Sequence, residues 1–192
     1  PQLSRKGFMV AAMDYRLAPD HPWPAQLEDV LEAIAFLRSQ LTDPERLAVW
    51  GHSAGGHLAM MAALSKPEWV RCAVALGAPS SLDALDRAET EEVFGDFPIE
   101  DASPAQLSAD EVPPILLVHG TADRVCPIEQ ARAHAQQRQE VSLLEIPDGD
   151  HGIRWPPLGA LRARRQAVNW MVEQMDMPAR GSKWKRRKKG KR

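Results

Sequence analysis

Short apolar runs that alternate with helical patterns constrain the fold of this 192-residue chain more than any other feature of its sequence. Each run is four to seven residues long, which suits a strand and is too short for a helix. Five such runs occur, at residues 7–13, 47–50, 70–76, 115–118 and 141–146. Strands that alternate with helices in this way predict an α/β fold, in which helices cover both faces of a mostly parallel sheet of about five strands.

Helical patterns fill most of the sequence between the apolar runs. Apolar residues that recur every three or four positions predict a helix over residues 27–40. A segment rich in Ala, Leu and Met predicts a second helix over 57–65, and further helices are expected at 89–94, 128–139 and 158–175. The rest of residues 79–112 is polar, acidic and without a clear period, so the sequence does not define its fold.

Composition excludes several classes of protein. Hydrophobic residues make up 44% of the chain and charged residues 26%, which is ordinary for a globular domain and unlike a disordered chain. No apolar run approaches the roughly 18 residues that a membrane span requires. The two cysteines, Cys72 and Cys126, match neither a zinc-binding spacing nor a disulfide framework, so no metal site is expected.

The formal net charge of −2 conceals an uneven distribution of charge. Nine of the 24 Lys and Arg residues lie in residues 180–192, so the residues before them carry 15 basic side chains against all 26 acidic ones. An acidic body repels a phosphate backbone, and nucleic acid is therefore not expected as the main partner. We expect a folded domain over residues 1–177 and a basic, disordered tail over residues 178–192.

A turn of small residues lies between the second apolar run and the helix that follows it. Its sequence, Gly51-His52-Ser53-Ala54-Gly55, fits the G-x-S-x-G pattern, in which a serine stands at the apex of a sharp strand-to-helix turn. Side chains at positions 51 and 55 are expected to collide with the neighbouring backbone, which favours glycine at both. Because the strand and the helix are both predicted, we interpret Ser53 as a catalytic nucleophile in preference to part of a purely structural turn.

A serine hydroxyl is a weak nucleophile near neutral pH and needs a positioned base. His151 is the best candidate, because it lies in a Gly-rich loop after the last predicted strand, at the carboxyl end of the sheet. Asp123, just past the fourth run, is the preferred carboxylate to hold the imidazole. Asp148 and Asp150 are alternatives, but they lie too near His151 in sequence to approach its ring easily and are typical of turns.

The other histidines fit the role of base less well. His52 and His57 belong to the turn and its helix, and His21 lies in a Pro-rich turn. His119 ends a buried strand and is expected to be a hydrogen-bonded structural residue. His134 is expected on the exposed face of a helix.

Four motifs occur in an order that resembles a known family. They are Asp14-Tyr15-Arg16-Leu17-Ala18-Pro19, Trp50-Gly51-His52-Ser53-Ala54-Gly55-Gly56-His57-Leu58, His119-Gly120-Thr121-Ala122-Asp123 and Asp150-His151-Gly152. Over residues 7–175 the chain resembles the α/β-hydrolase esterases related to hormone-sensitive lipase. The Gly-His-Ser-Ala-Gly-Gly-His segment is most similar to the branch that holds kynurenine formamidases and small bacterial esterases.

This resemblance implies an α/β-hydrolase fold and a triad of Ser53, His151 and Asp123 that works through an acyl-enzyme. It also implies that the backbone N–H of Ala54 lies in the oxyanion hole, that no metal or organic cofactor is required and that the substrate is a small ester or amide. Hydrolysis of carboxylic esters is the expected function. Arylformamidase activity, on amides of the N-formylkynurenine type, is the nearest alternative, and a catalytically impaired hydrolase serving as a binding module is the third.

One feature departs from the pattern that the resemblance implies. Members of this family carry a His-Gly-Gly-Gly loop before the Asp-Tyr-Arg motif, and its N–H groups complete the oxyanion hole. No such loop precedes Asp14, and the sequence begins at Pro1, so we expect the N-terminal strands to be missing and the chain to be a fragment or truncated product. Losing one donor of the hole typically costs about 100- to 1000-fold in rate. The cytoplasm is the predicted compartment, and the sequence does not indicate an oligomeric state.

Two tryptophans and an arginine have predicted roles near the site. Trp23 and Trp155 are candidates for an apolar substrate pocket, with packing in the core or at the surface as an equal alternative. Arg16 is expected to pair with an acidic neighbour near the Pro-rich turn.

Overall fold

The computed structural model describes residues 3–85, 87–108, 111–152 and 157–176. In this part of the chain, four strands form one parallel sheet in the order of the sequence. They are β1 (Ala48–His52), β2 (Cys72–Leu76), β3 (Ile115–Gly120) and β4 (Val141–Ile146). The predicted α/β architecture is confirmed, and the strands begin and end close to the predicted positions.

Five α-helices accompany the sheet in the described residues: α1 (Ala25–Gln40), α2 (Ala54–Ser65), α3 (Arg87–Phe94), α4 (Ile128–Gln137) and α5 (Pro157–Asp176). Short 3-10 turns lie at Ser4–Lys6 and Leu82–Ala84. All five predicted helices form, with ends that differ from the prediction by at most three residues. Within these residues, no helix is both long enough and apolar enough to cross a lipid bilayer.

The core lies in two layers, one on each face of the sheet. Ala73 and Ala75 of β2 face a layer that α1, α2 and α4 cover, whereas Val74 and the residues two positions away from it on β2 face a layer that α5 covers. This alternation follows from the two-residue period of a strand. A strand buried on both faces is apolar throughout, which explains the continuous run of buried residues in Cys72–Leu76.

The predicted strand at residues 7–13 is wrong. These residues form no ladder with β1 or any other described strand, and Met9 is 76% exposed. A short apolar run resembles a strand in sequence, but it becomes one only when a neighbouring strand takes up its backbone N–H and C=O groups. The described sheet therefore has four strands rather than about five.

The carboxyl ends of parallel strands meet at one edge of the sheet, and the predicted site residues follow these ends. In the register of the sheet, His52 at the end of β1 pairs with Leu76 at the end of β2. β3 and β4 end together, with Gly120 opposite Ile146. This edge is where an open parallel sheet places a ligand site.

Candidate active site

Ser53 occupies a sharp turn between β1 and α2. The strand ends at His52, the helix begins at Ala54, and Ser53 between them has φ 54° and ψ −124°. Few non-glycine residues adopt a positive φ, so this backbone is strained. The turn is held by hydrogen bonds from the Ser53 N–H to the Leu76 carbonyl (2.9 Å) and from the His57 N–H to the Ser53 carbonyl (3.0 Å).

Close backbone packing makes two glycines of this turn necessary. A Cβ atom on Gly51 would lie 2.0 Å from the Gly55 carbonyl oxygen, and one on Gly56 would lie 2.7 Å from the Ala78 Cβ. A Cβ on Gly55 would meet nothing within 4 Å. The predicted collision is therefore found at Gly51, but at Gly55 the prediction is wrong, because the crowded residue of α2 is the one facing β2, Gly56.

Three predicted side chains meet in one hydrogen-bonded chain. His151 Nε2 lies 2.9 Å from Ser53 Oγ. On the opposite side of the ring, His151 Nδ1 lies 2.9 Å from Asp123 Oδ2 and 3.2 Å from Asp123 Oδ1. An ionised carboxylate only accepts hydrogen bonds, so Nδ1 carries the proton and Nε2 is free to accept one from the serine hydroxyl. The arrangement can remove a proton from Ser53 and stabilise the imidazolium that results.

The Asp123 carboxylate is buried and held by its own loop. Its side chain is fully buried, and Oδ1 accepts hydrogen bonds from the N–H groups of Val125 and Cys126, both at 2.9 Å. His119 Nε2 lies 3.3 Å from Asp123 Oδ2 and 2.8 Å from the Cys126 carbonyl oxygen. Because a carbonyl only accepts, this nitrogen carries a proton and faces the carboxylate as a donor. These contacts fix the position of the carboxylate beside the His151 ring.

The loop that carries His151 packs tightly on the loop that carries Asp123. The Ala122 N–H donates to the Gly149 carbonyl (2.9 Å), and the Asp148 N–H donates to Thr121 Oγ1 (2.9 Å). A Cβ on Gly120 would lie 2.2 Å from the Gly149 carbonyl oxygen, so only glycine allows this approach. Asp148 itself lies in the turn with φ 58°, and Asp123 is the carboxylate that reaches the His151 ring.

Gly77 is a site residue that the sequence analysis missed. It follows β2 with φ 50°, and its N–H donates to the Val118 carbonyl (2.8 Å). A Cβ at this position would lie 3.0 Å from the His151 carbonyl oxygen, 3.5 Å from Asp123 Oδ2 and 3.6 Å from His151 Nδ1. The absence of a side chain therefore leaves room for the His151 carbonyl, whereas the two longer distances are ordinary contacts. A glycine directly after a buried strand was the available signal.

The remaining histidines occupy different environments. His57 is buried in α2, and its Nε2 lies 2.7 Å from the Ala102 carbonyl oxygen; burial lowers the pKa of its imidazole. His119 is the structural histidine that was expected, although it also contacts Asp123. The prediction for His134 is wrong, because its side chain is fully buried on α4. Ile128 is the only large apolar residue of α4 and its other apolar residues are alanines, so the sequence did not identify the buried face that includes His134.

The chain is similar in sequence to known esterases. The family model described as BD-FAE matches residues 1–81, which include the Asp-Tyr-Arg motif and the Ser53 turn. Esterase LipC of Mycobacterium tuberculosis is 34% identical over 189 residues, which cover 79% of this chain and 47% of LipC. The chain is an α/β-hydrolase similar to the esterases and lipases related to hormone-sensitive lipase.

Further relatives of this α/β-hydrolase extend the comparison. The probable carboxylic ester hydrolase LipM of Mycobacterium tuberculosis is 28% identical over 201 residues, which cover 86% of this chain and 46% of LipM. The chain spans about half the length of the curated relatives it matches. A solved structure titled "Truncated form of carbohydrate esterase from gut microbiota" superposes with a TM-score of 0.76 at 21% identity, covering 86% of this chain and 74% of that one. At this identity the likeness shows the fold alone.

The structure also describes Ala54 and Trp23, two further residues with predicted roles in the site. Ala54 is the first residue of α2, where a backbone N–H has no acceptor within the helix. Trp23 lies in the core, 7% exposed, with its ring packed against His57, Phe94 and Phe97. Trp155 and the basic tail lie outside the described residues. In the described part of the chain, no group of three or more His, Cys, Asp or Glu side chains is placed to hold a metal ion.

Arg16 pairs with acidic neighbours, as expected. Its guanidinium Nε lies 2.9 Å from Asp29 Oδ1, and its backbone N–H donates to Asp29 Oδ2 at 2.7 Å. It also contacts Glu28 at 3.1 Å. The guanidinium lowers the pKa of Asp29 through these hydrogen bonds. Arg16 therefore ties the N-terminal segment to α1 and is not among the groups that contact Ser53, Asp123 or His151.

Proposed function

We propose that this α/β-hydrolase is a cytoplasmic serine hydrolase that cleaves small carboxylic esters through an acyl-enzyme. The observation that carries the proposal is the continuous chain from Ser53 Oγ through His151 to Asp123, with 2.9 Å at each of its two hydrogen bonds. The residues come from three distant parts of the sequence, so their meeting at one edge of the sheet is a property of the fold. A nucleophile, a base and an orienting carboxylate in this order are the parts that acyl transfer requires.

In the first half of the reaction, Ser53 Oγ attacks the acyl carbonyl carbon of the ester while His151 Nε2 takes the hydroxyl proton. Asp123 holds the ring by the Nδ1 proton and stabilises its positive charge. The carbonyl oxygen becomes an oxyanion, and the N–H of Ala54 at the start of α2 is the proposed donor to it. When the intermediate collapses, the bond to the alcohol oxygen breaks, and His151 returns the proton to the departing alcohol.

In the second half, water repeats these steps on the acyl-enzyme. His151 takes a proton from the water as its oxygen attacks the acyl carbon, and the bond to Ser53 Oγ then breaks. The proton passes back to Ser53, and the acid leaves. The enzyme returns to its initial state, and the protonation steps use only groups of the triad and water.

The names of the relatives that match most of the chain support esters over amides as substrates. LipC and LipQ are named esterases, and LipM is named a probable carboxylic ester hydrolase. The same triad is chemically able to cleave a formyl amide, so arylformamidase activity stays the alternative within this reaction class. A catalytically impaired binding module is the alternative from another class.

Hydrolysis of two substrates by the wild type and Ser53→Ala tests the proposal. We expect p-nitrophenyl acetate to be hydrolysed well above the rate of buffer and of the variant, and faster than N-formylkynurenine releases kynurenine. Preference for N-formylkynurenine would replace the ester proposal with the formamidase one. Equal rates for the wild type and Ser53→Ala would contradict a hydrolytic function for this site and favour the binding module.

A further inference from the structure

We propose that His52 is a positioning residue for the catalytic base, through a hydrogen bond from its side chain to the backbone of His151. The inference rests on the proposed function and adds a residue to its machinery. His52 Nε2 lies 2.8 Å from the His151 carbonyl oxygen. A carbonyl oxygen only accepts, so Nε2 of His52 carries the proton and donates it.

The donor, His52, lies on a rigid part of the fold. His52 is the last residue of β1, pairs with Leu76 across the sheet and directly precedes Ser53. β1 therefore positions both the nucleophile, Ser53, and the side chain that contacts the backbone of the catalytic base. Through this contact, the backbone of the His151 loop is tied to the same strand end as Ser53, although 98 residues separate Ser53 and His151 in sequence.

The His151 carbonyl is held from a second side as well. It lies 3.0 Å from the position that a Cβ on Gly77 would occupy, so it packs directly over the backbone after β2. The His52 and His151 rings face each other at a tilt of 50°, with 5.2 Å between centroids. The His52 side chain and the Gly77 backbone together fix the position of the His151 carbonyl. The position of this backbone in turn sets the distance from His151 Nε2 to Ser53 Oγ.

Small displacements of the His151 imidazole are expected to lower the rate of the reaction. Productive relays need their groups within about 0.5 Å of the correct geometry, and a misplacement of about 1 Å can cost about 100-fold. His52 acts through His151, because the ring that contacts Ser53 Oγ is that of His151. Loss of the bond should therefore lower kcat and leave KM nearly unchanged.

Two substitutions separate the donor from the ring. His52→Phe keeps a flat ring of similar size and removes the donor, whereas His52→Gln keeps an N–H at about the reach of Nε2. A single hydrogen bond has a modest net value, so we expect His52→Phe to lower kcat about 3- to 10-fold, with KM within about twofold. His52→Gln should retain kcat within about twofold of the wild type. His52 is exposed, so neither change opens a cavity in the core.

His21→Phe is the matched control. His21 is another exposed histidine and lies in the turn before α1, away from the contacts of the triad, so its replacement should leave kcat unchanged. The rate at which a fluorophosphonate probe labels Ser53 gives a second readout. Labelling also requires His151 as the base, but it does not require turnover of a substrate. It should fall in His52→Phe by a factor similar to kcat and recover in His52→Gln.

The outcomes distinguish this inference from the proposed function. If His52→Phe keeps wild-type kcat and labelling rate, or if His52→Gln falls as far as His52→Phe, the donor does not position the base and the inference is overturned. If the wild type is neither labelled at Ser53 nor active, the proposed function fails and the inference falls with it. The inference is supported only if kcat and the labelling rate fall in His52→Phe and are retained in His52→Gln.

Discussion

At the residue scale, Gly77 is the position where a side chain would press on the backbone of the catalytic base, His151. Ala at this position would bring a Cβ to 3.0 Å from the His151 carbonyl oxygen at a positive φ of 50°. We expect Gly77→Ala to displace His151 and to lower kcat/KM about 10- to 100-fold. Steady-state kinetics with p-nitrophenyl acetate measure the effect.

Gly95→Ala is the control for the strain of the backbone itself. Gly95 also has a positive φ (54°), but a Cβ there would meet nothing within 4 Å. Each change should cost about 1 to 2 kcal/mol of stability from the left-handed backbone, and only Gly77→Ala should cost activity as well. Equal activity of the two variants would show that the space at Gly77 is not needed by His151.

Sequence alone predicted the three residues that meet and not the residues that support them. Ser53, Asp123 and His151 each follow a buried run in a small-residue turn, which is a local pattern. The roles of Gly77 and His119 depend on the distance to residues elsewhere in the chain, which no local pattern contains. His52 is a similar case, because its contact is to a backbone carbonyl 99 residues away.

At the element scale, the turn between β1 and α2 depends on the contact of the strand with the helix. Ala at position 51 would place a Cβ 2.0 Å from the Gly55 carbonyl oxygen, so the two elements must move apart. We expect Gly51→Ala to lower the free energy of unfolding by about 1 to 3 kcal/mol or more, as other overpacked sites do. Urea denaturation measures it.

Gly55→Ala is the paired substitution, in the same turn but with open space around its Cβ. Replacing a helical glycine by alanine stabilises a helix by roughly 0.5 to 1 kcal/mol, so this variant should be as stable as the wild type or more so. A loss of stability as large as that of Gly51→Ala would contradict the geometry of the turn.

Helix α4 carries a buried imidazole that makes stability depend on pH. Neither ring nitrogen of His134 has a hydrogen-bond partner among the described residues, and burial, followed by the charge of Arg138, lowers its pKa to about 4. The folded state disfavours the charged form, so the unfolded chain binds the proton first. Stability should be fully present above pH 6.5 and fall as the pH drops toward 4, by about 3 kcal/mol in total.

His134→Leu tests this account of α4. The apolar side chain removes both the unpaired nitrogens and the titrating group, so the variant should be at least as stable as the wild type at pH 8 and clearly more stable at pH 5. His57 also has a lowered pKa and keeps part of the dependence in both proteins. Thermal denaturation at the two pH values checks the difference; an unchanged pH dependence would exclude His134 as its source.

At the scale of the whole molecule, the alternation of apolar runs and helical patterns was enough to predict the architecture. Strands and helices of ordinary length, joined by short turns, have few ways to bury their apolar surface other than a parallel sheet with helices on both faces. Residues 7–13 were the exception, because pairing with a neighbouring strand is a property of the sheet and not of the run. The buried face of α4 was also not predicted from the sequence, because Ile128 is the only large apolar residue of this helix.

The central claim, that three distant side chains form one working relay, is tested most directly by covalent labelling of the nucleophile. We predict that a fluorophosphonate probe modifies the wild type once, at Ser53, that Ser53→Ala is not modified, and that folded Asp123→Asn reacts at least about 100-fold more slowly, because the imidazole then adopts the wrong tautomer. Modification of another residue, or equal rates for the wild type and Asp123→Asn, would contradict the relay.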